Sequence, residues 1–156
     1  MSLKLMEAAV AALSTYFQAN MPAKLTALNA EYADFTLDSV KKWYEGNLSA
    51  AVPEYPSLCF EAVAVDPEER TSTKLYLKNY LNIHIFVGDD NDQTRFKRLA
   101  RYARAAEELL NAGQSSYGYA FAHEGKWIWT NSFKADAFIQ GVTLPISLYP
   151  LDGETY

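Results

Sequence analysis

Two histidines and one cysteine are the residues of this chain most suited to acid–base or nucleophilic chemistry. A general base needs a partner that orients it. The sequence shows no such partner for His84 on its strand face, or for His123 in a turn beside Glu124. Cys59 stands between two large apolar residues, which favours a small buried strand residue over a reactive thiol. We therefore predict no catalytic residue.

The acidic run from Asp89 to Asp92 is the one candidate for a metal site. It lacks the glycine and the distal glutamate of an EF-hand calcium loop, so a turn and a helix cap are favoured. The histidines and the cysteine do not have metal-ligand spacing, and no phosphate-binding glycine loop, nucleophile elbow or zinc signature is present. We expect no metal and no cofactor.

A cluster of basic residues marks the helix that begins near Asp92: Arg95, Lys97, Arg98, Arg101 and Arg104. Bases near the start of a helix oppose its dipole, so local helix stability does not explain them. Three interpretations stay open: a solvated face, docking on an acidic surface of a neighbouring subunit, and contact with nucleic acid. In the docking interpretation the acidic partners are Asp66, Glu68, Glu69, Asp89 and Asp90.

Aromatic residues make up 14% of the chain and include eleven tyrosines. Trp127 and Trp129 fall on one face of a strand, and Tyr76 and Tyr80 share a face of another. Half-buried sheet positions would explain them. The alternative is an intersubunit surface, because tyrosine, tryptophan and arginine are enriched at interface centres. Together with Arg95, Arg98, Arg101 and Arg104, these four aromatic residues form the candidate subunit interface.

Composition is that of one folded domain: 156 residues, 49% of them hydrophobic and 21% charged. The net charge of −5 disfavours nucleic-acid binding over the whole surface. The N-terminus does not resemble a signal peptide, and no apolar run is long enough to span a bilayer, so we expect a protein inside the cell that makes it, with no membrane partner.

Helical periodicity dominates the first part of the chain, about residues 3–45. Apolar residues at spacings of three or four predict a first helix over about 3–19, and Asn20 and Pro22 predict that a second helix starts there. Asp38 and Gly46 bracket a predicted short capped helix.

Strand patterns and one more helix occupy about residues 57–149. A strand begins at Ser57, and a strict alternation from Leu75 to Val87 places aliphatic residues on one face and aromatic or polar residues on the other. A helix follows until Gly113, then two strands over about 117–130 and 137–149, the second weakened by Gly141 and Pro145. We therefore predict a single α+β domain over 1–156, with helices covering an antiparallel four-stranded sheet in the order α-α-β-β-α-β-β.

Three segments resemble a known family: Met21–Tyr32, Pro53–Leu58 leading into the first strand, and Arg98–Arg104. With the order of elements, they are similar to the siphophage tail terminator and head–tail joining proteins, over most of residues 1–150. The resemblance implies a ring, hexameric or dodecameric, at the neck or tail end, which contacts neighbouring neck or tail-tube proteins and lets DNA pass through its lumen without specific binding.

The resemblance implies that the chain is a structural virion protein, a tail terminator or neck protein, that acts by self-association and has no enzymatic activity. It would reside in the host cytoplasm during assembly and then in the virion. The alternative is a bacterial small-ligand-binding or enzymatic α+β domain, with its pocket between the helices and the aromatic face of the sheet. A nucleic-acid-binding module that uses the basic helix is a third possibility.

Overall fold

The computed structural model shows helices and strands along most of the chain. The elements are α1 (Met6–Glu31), β1 (Lys42–Glu45), β2 (Ser57–Arg70), β3 (Lys74–Gly88), α2 (Asp92–Ala112), α3 (Gln114–Tyr117), β4 (Tyr119–His123), β5 (Ile128–Asn131), β6 (Ile139–Pro150) and β7 (Glu154–Thr155). The structure describes residues 6–46, 54–70, 74–88, 91–131, 139–151 and 154–155, with backbone only at 68–70, 74–76, 92, 114, 115, 131, 154 and 155. No helix in these ranges is long and apolar enough to cross a membrane.

The strands of the described residues form one mixed sheet in the order β1-β2-β3-β6-β4, with β5 on β6 and β7 on β3. β1 runs parallel to β2, and every other pair is antiparallel. The prediction of a four-stranded antiparallel sheet in the order α-α-β-β-α-β-β is therefore wrong. It missed the parallel strand β1, divided α1 in two, and read β4 and β5 as one strand.

The alternation along β3 is confirmed and sets the two faces of the sheet. Leu81, Ile83 and Ile85 are buried against the helices, opposite Ile146, Leu144 and Val142 of β6. The intervening positions, from Lys78 to Phe86, lie on the outer face, opposite the helix-bearing face.

α1 is one continuous helix in which Pro22 occupies an interior position. The predicted break at Asn20 and Pro22 is wrong because the buried side of the helix continues past the proline: Phe17, Met21 and Leu25 follow one another at spacings of four. Asn20 does not cap a new helix, since its side-chain amide donates to the Tyr16 carbonyl at 2.8 Å. Burial of this stripe outweighs the one backbone hydrogen bond that a proline removes.

The predicted short helix between Asp38 and Gly46 is instead the strand β1. Trp43 stacks on Phe60 of β2, with ring centroids 6.2 Å apart. The preceding segment is fixed by Asn29, whose side-chain oxygen accepts from the Leu37 backbone amide at 2.7 Å and whose side-chain nitrogen donates to the Leu37 carbonyl at 3.2 Å. These contacts reach across the sequence, so local helix signals did not reveal them.

α2 begins and ends close to the predicted residues. Asn91 caps its start, with its side-chain oxygen accepting from the Thr94 amide at 3.0 Å. The Gly113 amide donates to the Leu109 carbonyl at its end. The predicted turn residues Asp89 and Asp90 lie outside the described residues.

β4 and β5 lie end to end along the same edge of β6, where a single strand was predicted. His123 pairs with Ile146 and Ile128 pairs with Thr143, so the chain between them passes Leu144 and Pro145 without pairing. The Glu124 amide still donates to the Pro145 carbonyl at 3.0 Å. Pro145 thus falls at the interruption, as a residue without an N–H should.

Candidate functional site

Arg101 binds the chain's own Asp34. Its two terminal nitrogens donate to the two Asp34 oxygens at 2.8 and 2.9 Å, and its guanidinium lies 4.2 Å from the Tyr32 ring centre and 4.3 Å from that of Phe35. Only 9% of Arg101 is exposed. A bidentate pair combined with two ring faces is a specific site for arginine, which lysine could not replace.

Three further basic residues of α2 contact the same region of the chain. Arg98 donates to the Thr36 carbonyl at 3.1 Å and lies 3.6 Å from an Asp38 oxygen. Lys97 lies 3.5 Å from Asp34. Arg104 bridges Glu31 and Glu108, each at 2.9 Å. The bases that oppose the dipole of α2 therefore fasten it to the end of α1 and to the segment that follows α1.

Ionisation of these acids follows from the contacts. The hydrogen bonds from Arg101 hold the pKa of the Asp34 carboxyl at about 2, below its usual range. The Arg104 side chain likewise lowers the pKa of Glu31 and of Glu108. An intersubunit role for Arg95, Arg98, Arg101 and Arg104 stays a prediction. In that role Arg98, Arg101 and Arg104 would contact a neighbouring subunit in addition to the carboxylates that they already bind in their own chain.

On the outer face of the sheet, a polar row crosses three strands. His84 Nδ1 lies 2.7 Å from the Thr143 hydroxyl, and His84 Nε2 lies 3.1 Å from Glu61 Oε1. The Asn82 side chain also donates to Glu61 at 3.4 Å. His84 therefore has the oriented partners that its sequence neighbours do not reveal.

A hydroxyl, an imidazole and a carboxylate in a row are also the groups that serve in enzymes as nucleophile, general base and the acid that orients the base. Acyl transfer would also need backbone N–H groups free to stabilise an oxyanion. Thr143 lies in a strand paired on both edges, with His84 on one side and Ile128 on the other. The ladder hydrogen bonds use the amides around it, so the row is better suited to holding three strands together than to catalysis.

A second polar cluster lies on the same face. Lys78 pairs with Glu124 at 3.2 Å, and the Ser147 hydroxyl donates to the same carboxylate at 2.6 Å. The Lys78 ammonium lies 5.0 Å from the Tyr80 ring centre and 5.5 Å from that of Tyr149. The Ser147 hydroxyl lowers the pKa of Glu124, and Glu124 raises that of Lys78. Tyr80 is thus a half-buried part of a cation–aromatic cluster.

The contacts of Cys59 and His123 indicate structural roles for both residues. Cys59 is 1% exposed, and burial raises the pKa of its thiol to about 11, which disfavours the thiolate. His123 does not lie in the predicted turn: it ends β4, and its Nε2 lies 2.9 Å from Glu107 of α2. The His123 contact joins the outermost strand to the helix that covers it.

The aromatic residues proposed for an interface occupy different surroundings. Trp127 is half-buried and packs against the core. Trp129 contacts Phe96 of α2, with ring centroids 5.5 Å apart. The side chain of Tyr76 lies outside the described residues, although its position in β3 is described. The structure therefore brings Trp129, but not Tyr80, into an exposed apolar group.

Exposed apolar side chains concentrate at the two edges of the sheet. Val63 and Val65 of β2 are 56% and 43% exposed. At the other edge the exposed fractions are 57% for Ile128, 38% for Trp129 and 53% for Phe96. We name these groups the β2 edge (Val63–Asp66) and the β5 edge (Phe96, Ile128 and Trp129).

Two shallow grooves border α1. One, of about 430 Å³, lies between the alanines of α1 and Tyr117. The other, of about 350 Å³, lies beside Met6, Val10 and Ala62. The alternative function places a pocket between the helices and the aromatic face, whereas α1 and α2 pack on the aliphatic face of the sheet. No group of three or more potential metal ligands occurs among the described residues.

Comparison with protein-family models finds no match for this chain. A search of curated proteins likewise finds none.

Proposed function

We propose that this protein is a structural subunit of a phage virion, a tail terminator or neck protein, that forms a ring at the head–tail interface or the tail end. The observation that carries the proposal is the pair of separate apolar groups, the β2 edge and the β5 edge, at opposite sides of one sheet. Two different surfaces that bind each other head to tail produce a ring when the rotation closes.

The intrachain pairs of α2 support the passage of DNA without specific binding. Lys97, Arg98 and Arg104 each have a carboxylate of the same chain within 4.0 Å. Phosphate binding needs basic side chains that are free to replace counterions. With a net charge of −5, the subunit suits a lumen that does not retain DNA.

Native mass spectrometry and sedimentation velocity of the full chain, over a range of concentrations, test the ring. We expect a concentration-dependent species of six or twelve subunits, as the resemblance implies, and a DNA mobility shift that is absent at all salt concentrations. A chain that stays monomeric in solution and is also absent from neck or tail fractions of purified virions would refute the proposal. Tight, salt-sensitive DNA binding would refute the passive lumen.

One observation bears on the alternative of an enzymatic α+β domain, the row of Thr143, His84 and Glu61. Its test is a screen of acyl substrates with the wild-type chain and with Thr143→Val. Turnover that Thr143→Val abolishes, with the melting temperature unchanged, would favour the enzyme over the ring.

A further inference from the structure

The β2 edge and the β5 edge present apolar side chains on the same face of the sheet. Val65 pairs with Asn79, which is buried on the helix-bearing face of β3. Trp129 pairs with Val142 on that face and contacts Phe96 of α2. Cross-strand partners share a face, so Val65 and Trp129 both lie on the helix-bearing side. Val65 is level with Leu148 of β6 and Trp129 is level with Val142, six residues further along that strand. A second copy that continued the sheet with this displacement along the strands would place the two side chains together.

Strand directions also fit continuation by a second copy. β2 is antiparallel to β3, β3 to β6, and β6 to β5, so β5 runs opposite to β2. Among the described residues, no strand pairs with β2 beyond Phe60 on the side away from β3, or with β5 on the side away from β6. If a second copy continues the sheet in the same orientation, its β2 meets β5 antiparallel.

Charge favours the same arrangement. Asp66 follows Val65 and is exposed, and Lys126, two residues before Ile128, is also exposed. In an antiparallel pair with Val65 opposite Trp129, Asp66 faces Ile128 of the second copy. Lys126 lies two residues before Ile128 on the same side of the strand, which makes it a diagonal neighbour of Asp66. Pro67 has no N–H to donate to an added strand, so we expect pairing with the second copy to end before it, although β2 pairs with β3 as far as Arg70.

We propose that β5 of one copy pairs antiparallel with residues 63–66 of β2 in the next copy, so that one sheet continues from subunit to subunit. This strand addition uses main-chain hydrogen bonds for affinity and the Val65–Trp129 contact for register. It rests on the proposed ring function and specifies its contact. β5 is four residues long, so each contact is small and the closed ring stabilises it.

Cysteine cross-linking tests the contact directly. Chains that carry Val65→Cys and Trp129→Cys are mixed and treated with a short bismaleimide, with buried Cys59 as the background in the wild-type chain. We expect at least about tenfold more dimer than in a mixture of Ala27→Cys and Trp129→Cys, because docking raises the effective concentration of the two thiols. Ala27 is exposed on α1, which belongs to neither edge. Each variant alone should give little dimer.

Blocking variants provide the second measurement. Val65→Asp leaves the β5 edge intact and Trp129→Asp leaves the β2 edge intact, so each should fail to form rings alone. Their mixture should form a 1:1 dimer, and only at high concentration, because no closed ring stabilises the single contact. Circular dichroism melting establishes that both fold. Ala27→Asp is the matched control and should assemble normally.

The outcomes separate the contact from the function. Assembly of the wild-type chain without the 65–129 cross-link would overturn the strand pairing and leave the ring standing. Strong 65–65 cross-linking would overturn it as well, because that result means a two-fold contact. Absence of the cross-link together with absence of any assembly, in solution and in virions, would overturn both.

Discussion

At the scale of single residues, Arg101 makes the contacts that a charge reversal would damage most. Arg101→Glu would leave a carboxylate beside Asp34 and empty the space between Tyr32 and Phe35. We expect the melting temperature to fall by about 5 °C or more. Circular dichroism melting measures this.

Lys97→Glu is the control for Arg101→Glu. Lys97 is exposed and lies 3.5 Å from the same Asp34, and an exposed ion pair contributes at most about 1 kcal/mol. Equal losses in both variants would show that Arg101 acts only through its charge.

Asp34 gives a prediction for pH. Its pKa is about 2 in the folded chain and about 3.9 in an unfolded one. A depressed folded pKa adds stability that is present above about pH 4 and lost as pH falls towards 2. Urea unfolding of the wild type and of Asp34→Asn should therefore differ most at neutral pH, with the difference shrinking between pH 4 and pH 2. A constant difference would contradict the pair.

The partners of the arginines could not be found from the helix that carries them. Sequence reasoning sought acids at Asp66, Glu68 and Asp89, whereas the observed acids are Glu31, Asp34 and Asp38. A signal existed: acids alternate with Tyr32 and Phe35 just after α1. It became readable only once α1 was known to continue past Pro22 and bring that segment beside α2.

At the scale of elements, the strands show which patterns predict structure. β3 was predicted correctly because its alternation is long and its two faces differ in chemistry. β1 was missed because four residues carry no period, and the Trp43–Phe60 stack that places it spans distant parts of the chain. β6 formed despite Gly141, where the Phe86 ring passes 2.9 Å from the position that a Cβ would take.

Pro22 gives the prediction that belongs to an element. It is exposed inside α1, and Pro22→Ala would restore an amide that can donate to the Gln18 carbonyl. The gain in helix propensity is about 3 kcal/mol, and the freer unfolded chain offsets about 1 kcal/mol of it. We expect a net stabilisation of about 1–2 kcal/mol in urea unfolding. Pro22→Gly should gain less, and a destabilised Pro22→Ala would mean that the proline fixes a bend that the packing needs.

At the scale of the whole molecule, α1 and α2 cover one face of the sheet, whereas the β2 edge and the β5 edge expose apolar side chains. Exposure of Val65, Phe96 and Trp129 adds no stability to an isolated chain. Such residues mark interaction sites when they cluster. Composition predicted that aromatic residues would be displayed, but not where. Their positions depend on β5 lying at the edge, which follows from the topology alone.

Salt distinguishes the two ways in which subunits could bind. Docking of basic α2 on acidic residues of a neighbour would weaken when sodium chloride shortens the Debye length from about 10 Å at 0.1 M to about 3 Å at 1 M. Docking of the β2 edge on the β5 edge buries apolar surface and should lose little in sodium chloride and strengthen in sulfate. Sedimentation velocity in both salts measures the fraction of rings. Arg98, Arg101 and Arg104 already have carboxylate partners within the chain, so we expect the rings to persist in sodium chloride and to be stabilised by sulfate. Dissociation of the rings in sodium chloride would instead indicate that α2 forms the interface.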